Sequence, residues 1–392
     1  MPVFLHALLK PDRSKPPVRI LHFYKTYFPD SRGGIEQFIF QLARGSTRRG
    51  IDVDVLSLSS DVGRETSSRD GHTVHRVRKN FEIASTGFSL AAFGSFASLA
   101  RQADIVHYHH PWPFADMVHF ATAVSKPTIL TYHSDIVRQR RLLTLYKPLM
   151  KRFLGKVDRI VATSQNYLET SDTLRSYLDK TRVIPIGLDR TTYPYPDAAR
   201  MAAWREKVGE RFFLFVGVLR YYKGLHILLD ALRGTGYPLV IVGAGPIEAE
   251  LRTHAAEIGL TNIHFLGAVS DDDKVALLEL SYAVLFPSHL RSEAFGISLL
   301  EGAMFGKPMI SSEIGTGTTY INIHGETGLV VKPDDPDALR EALRTLDEHP
   351  ELAREMGRRA LHRYQTYFTA DQMTDRYVEL YNELLPRLRP DH

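Results

Sequence analysis

Ser292-Glu293-Ala294-Phe295-Gly296-Ile297-Ser298-Leu299-Leu300-Glu301-Gly302 sets two carboxylates eight positions apart across an expected strand-loop-helix junction. The apolar block Tyr282-Ala283-Val284-Leu285-Phe286, stopped by Pro287, reads as a strand buried on both faces, as in a parallel sheet. A helix over residues 296–305 follows, Gly306 ends it, and Pro308-Met309-Ile310 opens the next strand. Glu293 is thereby expected in a loop at the carboxyl edge of a sheet, with Glu301 on the helix behind it. In open α/β sheets that edge is where ligands bind.

The alternation extends in both directions. Towards the C-terminus and back to residue 212, strands are expected at 212–216, 239–242, 263–266, 283–286 and 309–311, separated by helices and closed by two helical stretches over 335–363. Upstream, strands at 18–24, 51–58, 104–107, 127–132, 158–163 and 181–186 follow the same rhythm, with a helix over 35–49 after the first. Between the two runs lies Thr191-Thr192-Tyr193-Pro194-Tyr195-Pro196-Asp197, a proline-rich connection that marks a domain boundary. The expected fold class is α/β, with two doubly wound domains at 1–190 and 191–368 and an aromatic-rich C-terminal helix beyond 369.

Composition excludes several classes of function. The chain has 392 residues, 44% hydrophobic and 24% charged, enough for two domains with separate cores. The absence of cysteine rules out disulfides, thiolate metal sites and a cysteine nucleophile, and suits a reducing, cytoplasmic setting. The first nine residues lack the basic region and cleavage site of a signal peptide, and the apolar-leaning run 88–100 is too short to span a bilayer. A net charge of +4 and seventeen histidines point to a nucleotide or an anionic surface as partner, with no nucleic acid among the partners.

Chemistry is expected at the strand ends. Gly33 and Gly34 precede the first helix, where backbone N–H groups and the helix dipole favour an anion by roughly 0.3–1 kcal/mol. In the second half, Arg220 and Lys223 lie in the loop Gly217-Val218-Leu219-Arg220-Tyr221-Tyr222-Lys223-Gly224, and Gly243-Ala244-Gly245 turns after the next strand. Gly267-Ala268-Val269-Ser270-Asp271 ends the third strand, with Ser270 or Asp271 as helix cap. Two readings of the acidic pair remain open. As a glycosidase pair, the carboxylates would flank one bond at about 5–9.5 Å. With a nucleoside diphosphate sugar, Glu301 would accept from ribose and Glu293 from hexose, while Arg220, Lys223 and the helix at Gly296 neutralise the pyrophosphate leaving group.

In the first half, His133 ends the strand 127–132 and is a candidate to contact the transferred sugar, with Asp135 beside it. The run His107-Tyr108-His109-His110-Pro111-Trp112-Pro113-Phe114 reads as a polar and aromatic wall for an acceptor, through His109, His110 and Trp112. It has no matching carboxylate or thiolate, so no metal is expected. Basic residues from Arg138 to Lys156 punctuate leucines in a stretch suited to an anionic membrane surface and a lipid-linked acceptor.

Glu293 to Glu301 resembles the E-x7-E element of retaining glycosyltransferases. With Gly33-Gly34, the Lys223 loop and Gly243-Ala244-Gly245-Pro246 in order, nearly the whole chain is similar to glycosyltransferase family 4. The resemblance implies the GT-B fold, with two Rossmann-like domains facing a cleft and a last helix crossing back to the first. It implies a nucleotide-sugar donor, no metal or other cofactor, and same-face chemistry in which the leaving phosphate takes the acceptor proton. Roles implied are Lys223 on pyrophosphate, Glu301 on ribose, Glu293 with Phe295, Gly296 and Ile297 on sugar and phosphate, His133 on the donor sugar, and Val269 on the base. The chain has Val218 where the family commonly has arginine, with Arg220 two positions on, and Pro185-Ile186-Gly187 where Pro-Asn-Gly is frequent. The His109 and Lys223 segments look like those of bacterial O-antigen mannosyl- and rhamnosyltransferases. That narrower likeness implies a GDP-mannose-type donor, a lipid-linked glycan acceptor and a peripheral place at the cytoplasmic face of the inner membrane.

Overall fold

The computed structural model describes residues 17–31, 33–61, 66–84, 86–136 and 140–385, with the backbone alone at 140–143. Sixteen strands run in chain order as β1 (Arg19–Phe23), β2 (Asp52–Ser59), β3 (Thr66–Arg69), β4 (His72–Arg78), β5 (Phe81–Ile83), β6 (Thr86–Phe88), β7 (Ile105–His110), β8 (Thr128–Tyr132), β9 (Arg159–Ala162), β10 (Thr181–Val183), β11 (Phe213–Val216), β12 (Leu239–Val242), β13 (Ile263–Gly267), β14 (Ala283–Phe286), β15 (Met309–Ser312) and β16 (Gly328–Val331). One sheet has the order β10-β9-β8-β7-β1-β2-β4-β3, another β13-β12-β11-β14-β15-β16, and β5 and β6 form a hairpin. β1 runs parallel to both β2 and β7, and only the edge strand β3 turns antiparallel in the first sheet's recorded pairings. The second sheet is parallel in every recorded pair.

Why these strands sit inside is plain from β14 and its neighbours. Ala283, Val284, Leu285 and Phe286 are all within 1% of full burial, as a strand covered by helices on both faces must be. Leu228, Leu232, Leu339, Leu343 and Met356 from the flanking helices complete that core. Burying each such side chain contributes about 1.5–3 kcal/mol before conformational entropy is charged against it.

The chain falls into two compact units. One draws on the described parts of Met1–Leu130, Tyr146–Arg159 and Thr374–His392, the other on those of Thr131–Leu145 and Ile160–Met373. Residues 160–190 therefore group with the later half, whereas the proline-rich run sets the boundary at 190. The cause is local bonding within the second unit. Asn166 Nδ2 donates to Thr319 Oγ1 at 3.0 Å, and the Leu188 N–H donates to Phe368 O at 2.9 Å. The last helix, Ala370–Leu384, leaves this unit and joins the first, where Tyr381 Oη meets His107 Nδ1 at 2.9 Å and Asp375 accepts from Arg49 Nε at 2.7 Å.

Candidate active site

The four loops after β11, β12, β13 and β14 are stitched into one rim by their own backbones. The Gly217 N–H donates to Val242 O (2.9 Å), Leu219 N–H to Ala244 O (3.1 Å), Gly243 N–H to Gly267 O (2.7 Å) and His289 N–H to Tyr222 O (3.0 Å). β11 lies between β12 and β14, so the strand order reverses between β11 and β14, the switch point at which α/β sheets open a crevice. Gly224 shows how tightly the two loops meet there. Its φ is +70°, and a Cβ would lie 2.0 Å from the Pro287 carbonyl oxygen. Gly243 and Gly245 are similarly dictated by backbone contact, since their Cβ atoms would approach Gly217 O and Leu219 O at 2.0 and 2.3 Å.

Lys223 and Glu293 meet at that switch point in a direct hydrogen-bonded ion pair. Both side chains are nearly closed off, 11% and 12% exposed, and Ser288 Oγ adds a donor to Glu293 at 3.3 Å. Burial by itself would lower the Lys223 pKa, but the Glu293 carboxylate and Tyr222 hold it above its ordinary 10.5. Lys223 is therefore a fixed positive charge over the Phe286 ring, 4.8 Å from its centroid. Arg220 is exposed, and its own charge opposes that of Lys223. The sequence places Lys223 and Glu293 on two different parts of a ligand; the structure joins them to each other.

Glu301, the second carboxylate, is buried at 4% on the helix Ile297–Met304. It accepts from Tyr193 Oη at 3.0 Å and from Lys274 Nζ at 2.9 Å. Burial first, then the Glu301 charge, pushes the Tyr193 phenol well above its usual range, so it remains a donor. Neither partner is legible in the sequence, because Tyr193 sits in the connecting segment and Lys274 on an ordinary polar helix face. Gly296 caps the same helix with φ +100°, Ile297 begins it, and Phe295 is buried below. Ser270 caps the helix after β13, its Oγ accepting from the Asp273 N–H at 3.1 Å, and half-buried Val269 precedes it.

The other candidates fall differently. Gly33 caps the helix Gly34–Arg48, but the chain supplies its own anion there: Glu36, buried in the first turn, accepts from Thr26 Oγ1 at 2.7 Å, and a Cβ on Gly33 would lie 2.4 Å from its Oε2. His133 follows β8 directly and is 5% exposed. Asp135 is half-buried and already paired within the fold. Its Oδ1 accepts from Tyr132 Oη and Ser171 Oγ, both at 2.8 Å, and Arg291 lies 3.5 Å from Oδ2. The aromatic wall is likewise corrected, since Trp112 is 1% exposed, packs on Phe23 and donates its Nε1–H to Gly87 O at 3.2 Å. His109 and His110 are as deeply buried, because β7 extends to residue 110 rather than ending at 107. His22 of β1 stacks on His109 and lies tilted against His107 in that interior, at centroid distances of 5.3 and 4.7 Å. Of the basic stretch, Arg138 lies outside the described residues, as do the side chains of Arg140 and Arg141, while Lys147, Lys151, Arg152 and Lys156 are exposed. No helix among the described residues is long and apolar enough to cross a membrane.

Comparison with known proteins identifies the family of the chain. The profile of Glycosyltransferase Family 4 matches residues 32–192, and that of Glycosyl transferases group 1 matches 198–363. The D-rhamnosyltransferase WbpZ of Pseudomonas aeruginosa is 66% identical over 90% of this chain and 93% of its own length. The O-antigen chain mannosyltransferase C of Escherichia coli is 51% identical over 94% and 99%. Among solved structures, sucrose-phosphate synthase of Thermosynechococcus elongatus superposes with a TM-score of 0.77 at 21% identity, over 94% of this chain and 99% of its own, and shares the GT-B fold. The chain belongs to the family 4 glycosyltransferases: an enzyme that moves a hexose from a nucleotide-sugar donor to a glycan acceptor.

Proposed function

We propose that this glycosyltransferase transfers a mannose-type sugar, mannose or its 6-deoxy form rhamnose, from a GDP-sugar to a lipid-linked glycan during O-antigen synthesis, with retention at the anomeric carbon. The donor class is favoured by the two relatives above, one named a D-rhamnosyltransferase and the other an O-antigen mannosyltransferase. The observation that carries the site assignment is the juxtaposition of Lys223 with Glu293 at the switch point, with Glu301 held by Tyr193 and Lys274 on the next helix.

In this reading the pyrophosphate takes up the Lys223 ammonium, which frees Glu293 to accept from hexose hydroxyls. Glu301 accepts from the ribose, and the N–H groups at Gly296 and Ile297 face the phosphate. Val269 lies beside the base, and His133 contacts the transferred sugar. Leaving-group charge is neutralised by Lys223 and backbone dipoles fixed before reaction, which costs no reorganisation when the bond breaks. No metal or other cofactor enters this scheme. The leaving phosphate oxygen takes the acceptor proton, so no protein nucleophile is needed.

The enzyme works at the cytoplasmic face of the inner membrane, with the helix Arg140–Lys156 against anionic headgroups. Its exposed Lys147, Lys151, Arg152 and Lys156 and its 81%-exposed Leu145 suit that interface. Thermal unfolding with GDP, UDP and ADP and their sugars tests the donor, because a ligand at 100 times its Kd adds about 2.7 kcal/mol. GDP and GDP-mannose or GDP-rhamnose should raise Tm; a rise with UDP and none with GDP would refute the assignment.

A further inference from the structure

On the flank of the rim, side chains from a helix start and two loops turn toward one another. His226 stands at the start of the helix Leu225–Leu232, His289 follows β14, and Asp334 follows β16. One ligand atom from each lies within 4.8 Å of the other two. We propose that His226, His289 and Asp334 form a binding site for a divalent transition metal of the zinc class, which ties the Lys223 loop to the Glu293 loop.

The donor set is chemically suited. Two imidazoles and a carboxylate take Zn2+ at about 2.0–2.2 Å, so ligand atoms sharing a tetrahedral ion stand about 3.3–3.6 Å apart. His289 Nδ1 and Asp334 Oδ1 are already 3.6 Å apart, and a pair at the 4.8 Å limit needs to close by about 1.2–1.5 Å. His289 also carries the outer support that metal-bound histidines need: its Nε2 meets the Tyr221 carbonyl oxygen at 3.1 Å, leaving Nδ1 directed at Asp334. The Tyr221 ring stacks on His226 at 4.9 Å and meets His289 edge-on at 5.0 Å, fixing both imidazole planes.

Burial first, then the like charge of His289, works against a charged His226 imidazole, while Asp334, Asp230 and Glu250 draw positive charge towards it. The positive end of the short helix beginning at Leu225 works against a cation by at most a fraction of what three ligands supply. Asp334 is 73% exposed, so coordination positions open to water remain for ligand exchange. None of the three residues is a group assigned to the donor, so the ion would act on the two loops and not on the reacting atoms. Its consequence for catalysis rests on the proposed donor site: with the loops tied, Lys223 and Glu293 are held in register and donor KM falls.

The test uses the full chain, stripped with chelator and titrated with Co2+ as a spectroscopic stand-in for Zn2+. One equivalent should give visible ligand-field bands that Zn2+ displaces. His226→Gln and Asp334→Asn should each weaken Co2+ binding at least tenfold, while His254→Gln, which removes a nearby histidine outside the trio, leaves it unchanged. Circular dichroism confirms that each variant is folded. Absence of bands at one equivalent, or equal affinity in wild type, His226→Gln and Asp334→Asn, would overturn the site. Donor KM measured with and without Zn2+ then tests the coupling separately, since metal binding is read with no donor present.

Discussion

Lys223 and Glu293, 70 residues apart in sequence, form a nearly buried ion pair where the strand order of the second sheet reverses. An isolated buried pair contributes little net stability, because desolvation offsets most of its attraction. Its value here is positional: each charge holds the other at the mouth of the switch point.

Replacing Lys223 with Met removes the fixed charge that the proposed scheme sets against the leaving pyrophosphate. Transfer should fall by roughly 10²–10³, about 2.7–4 kcal/mol of transition-state stabilisation. Steady-state kinetics alongside circular dichroism checks this, and a folded variant of near wild-type turnover would remove Lys223 from the mechanism.

Tyr193 and Lys274 position Glu301. Hydrogen bonds to charged groups are worth about 1.5–3 kcal/mol, so Tyr193→Phe and Lys274→Met should each raise donor KM by roughly tenfold or more with smaller effects on kcat. An unchanged donor KM in both would mean that Glu301 does not hold the donor.

Asp116 supplies a pH test of the first unit. Burial, only partly offset by the hydrogen bond from Tyr146, raises its carboxyl pKa well above the ordinary 3.8. A group with a raised folded pKa stabilises the protein below its unfolded value and loses that contribution as pH rises. Asp116→Asn should therefore match wild type below pH 3.8 and become progressively more stable than wild type above it. Melting curves across that range that stay parallel would contradict the assignment.

For the basic helix, replacing Lys147, Lys151, Arg152 and Lys156 with Gln should release the enzyme from anionic vesicles, at about 1 kcal/mol per charge near the surface. Transfer to a short water-soluble acceptor should persist. Equal sedimentation of both forms with such vesicles would end the membrane-surface reading.

Period and punctuation made most of the fold legible. Continuous apolar runs such as 213–216 and 283–286 announced buried parallel strands, and the proline after Phe286 marked the loop that carries Glu293. Short edge elements without an apolar run were not legible, β3 and the β5-β6 hairpin among them, whereas β16 was passed over although Leu329-Val330-Val331 is apolar. At the site, the loops and both glutamates stood out, whereas their partners did not. Tyr193, Lys274 and Ser288 reach the carboxylates only through tertiary packing. Trp112 was misread for a related reason. An aromatic after a strand looks like a wall, and only the fold shows that Phe23 and Gly87 already enclose it.

The central claim is that the two carboxylates grip two different sugars of one donor, and calorimetric titration of GDP and of GDP-mannose into two variants tests it directly. Glu301→Ala should weaken both ligands to the same extent, because it removes the ribose contact they share. Glu293→Ala should weaken GDP-mannose while leaving GDP affinity no lower than in wild type. If Glu293→Ala instead weakens GDP as much as Glu301→Ala does, the division of the donor between the two residues is wrong.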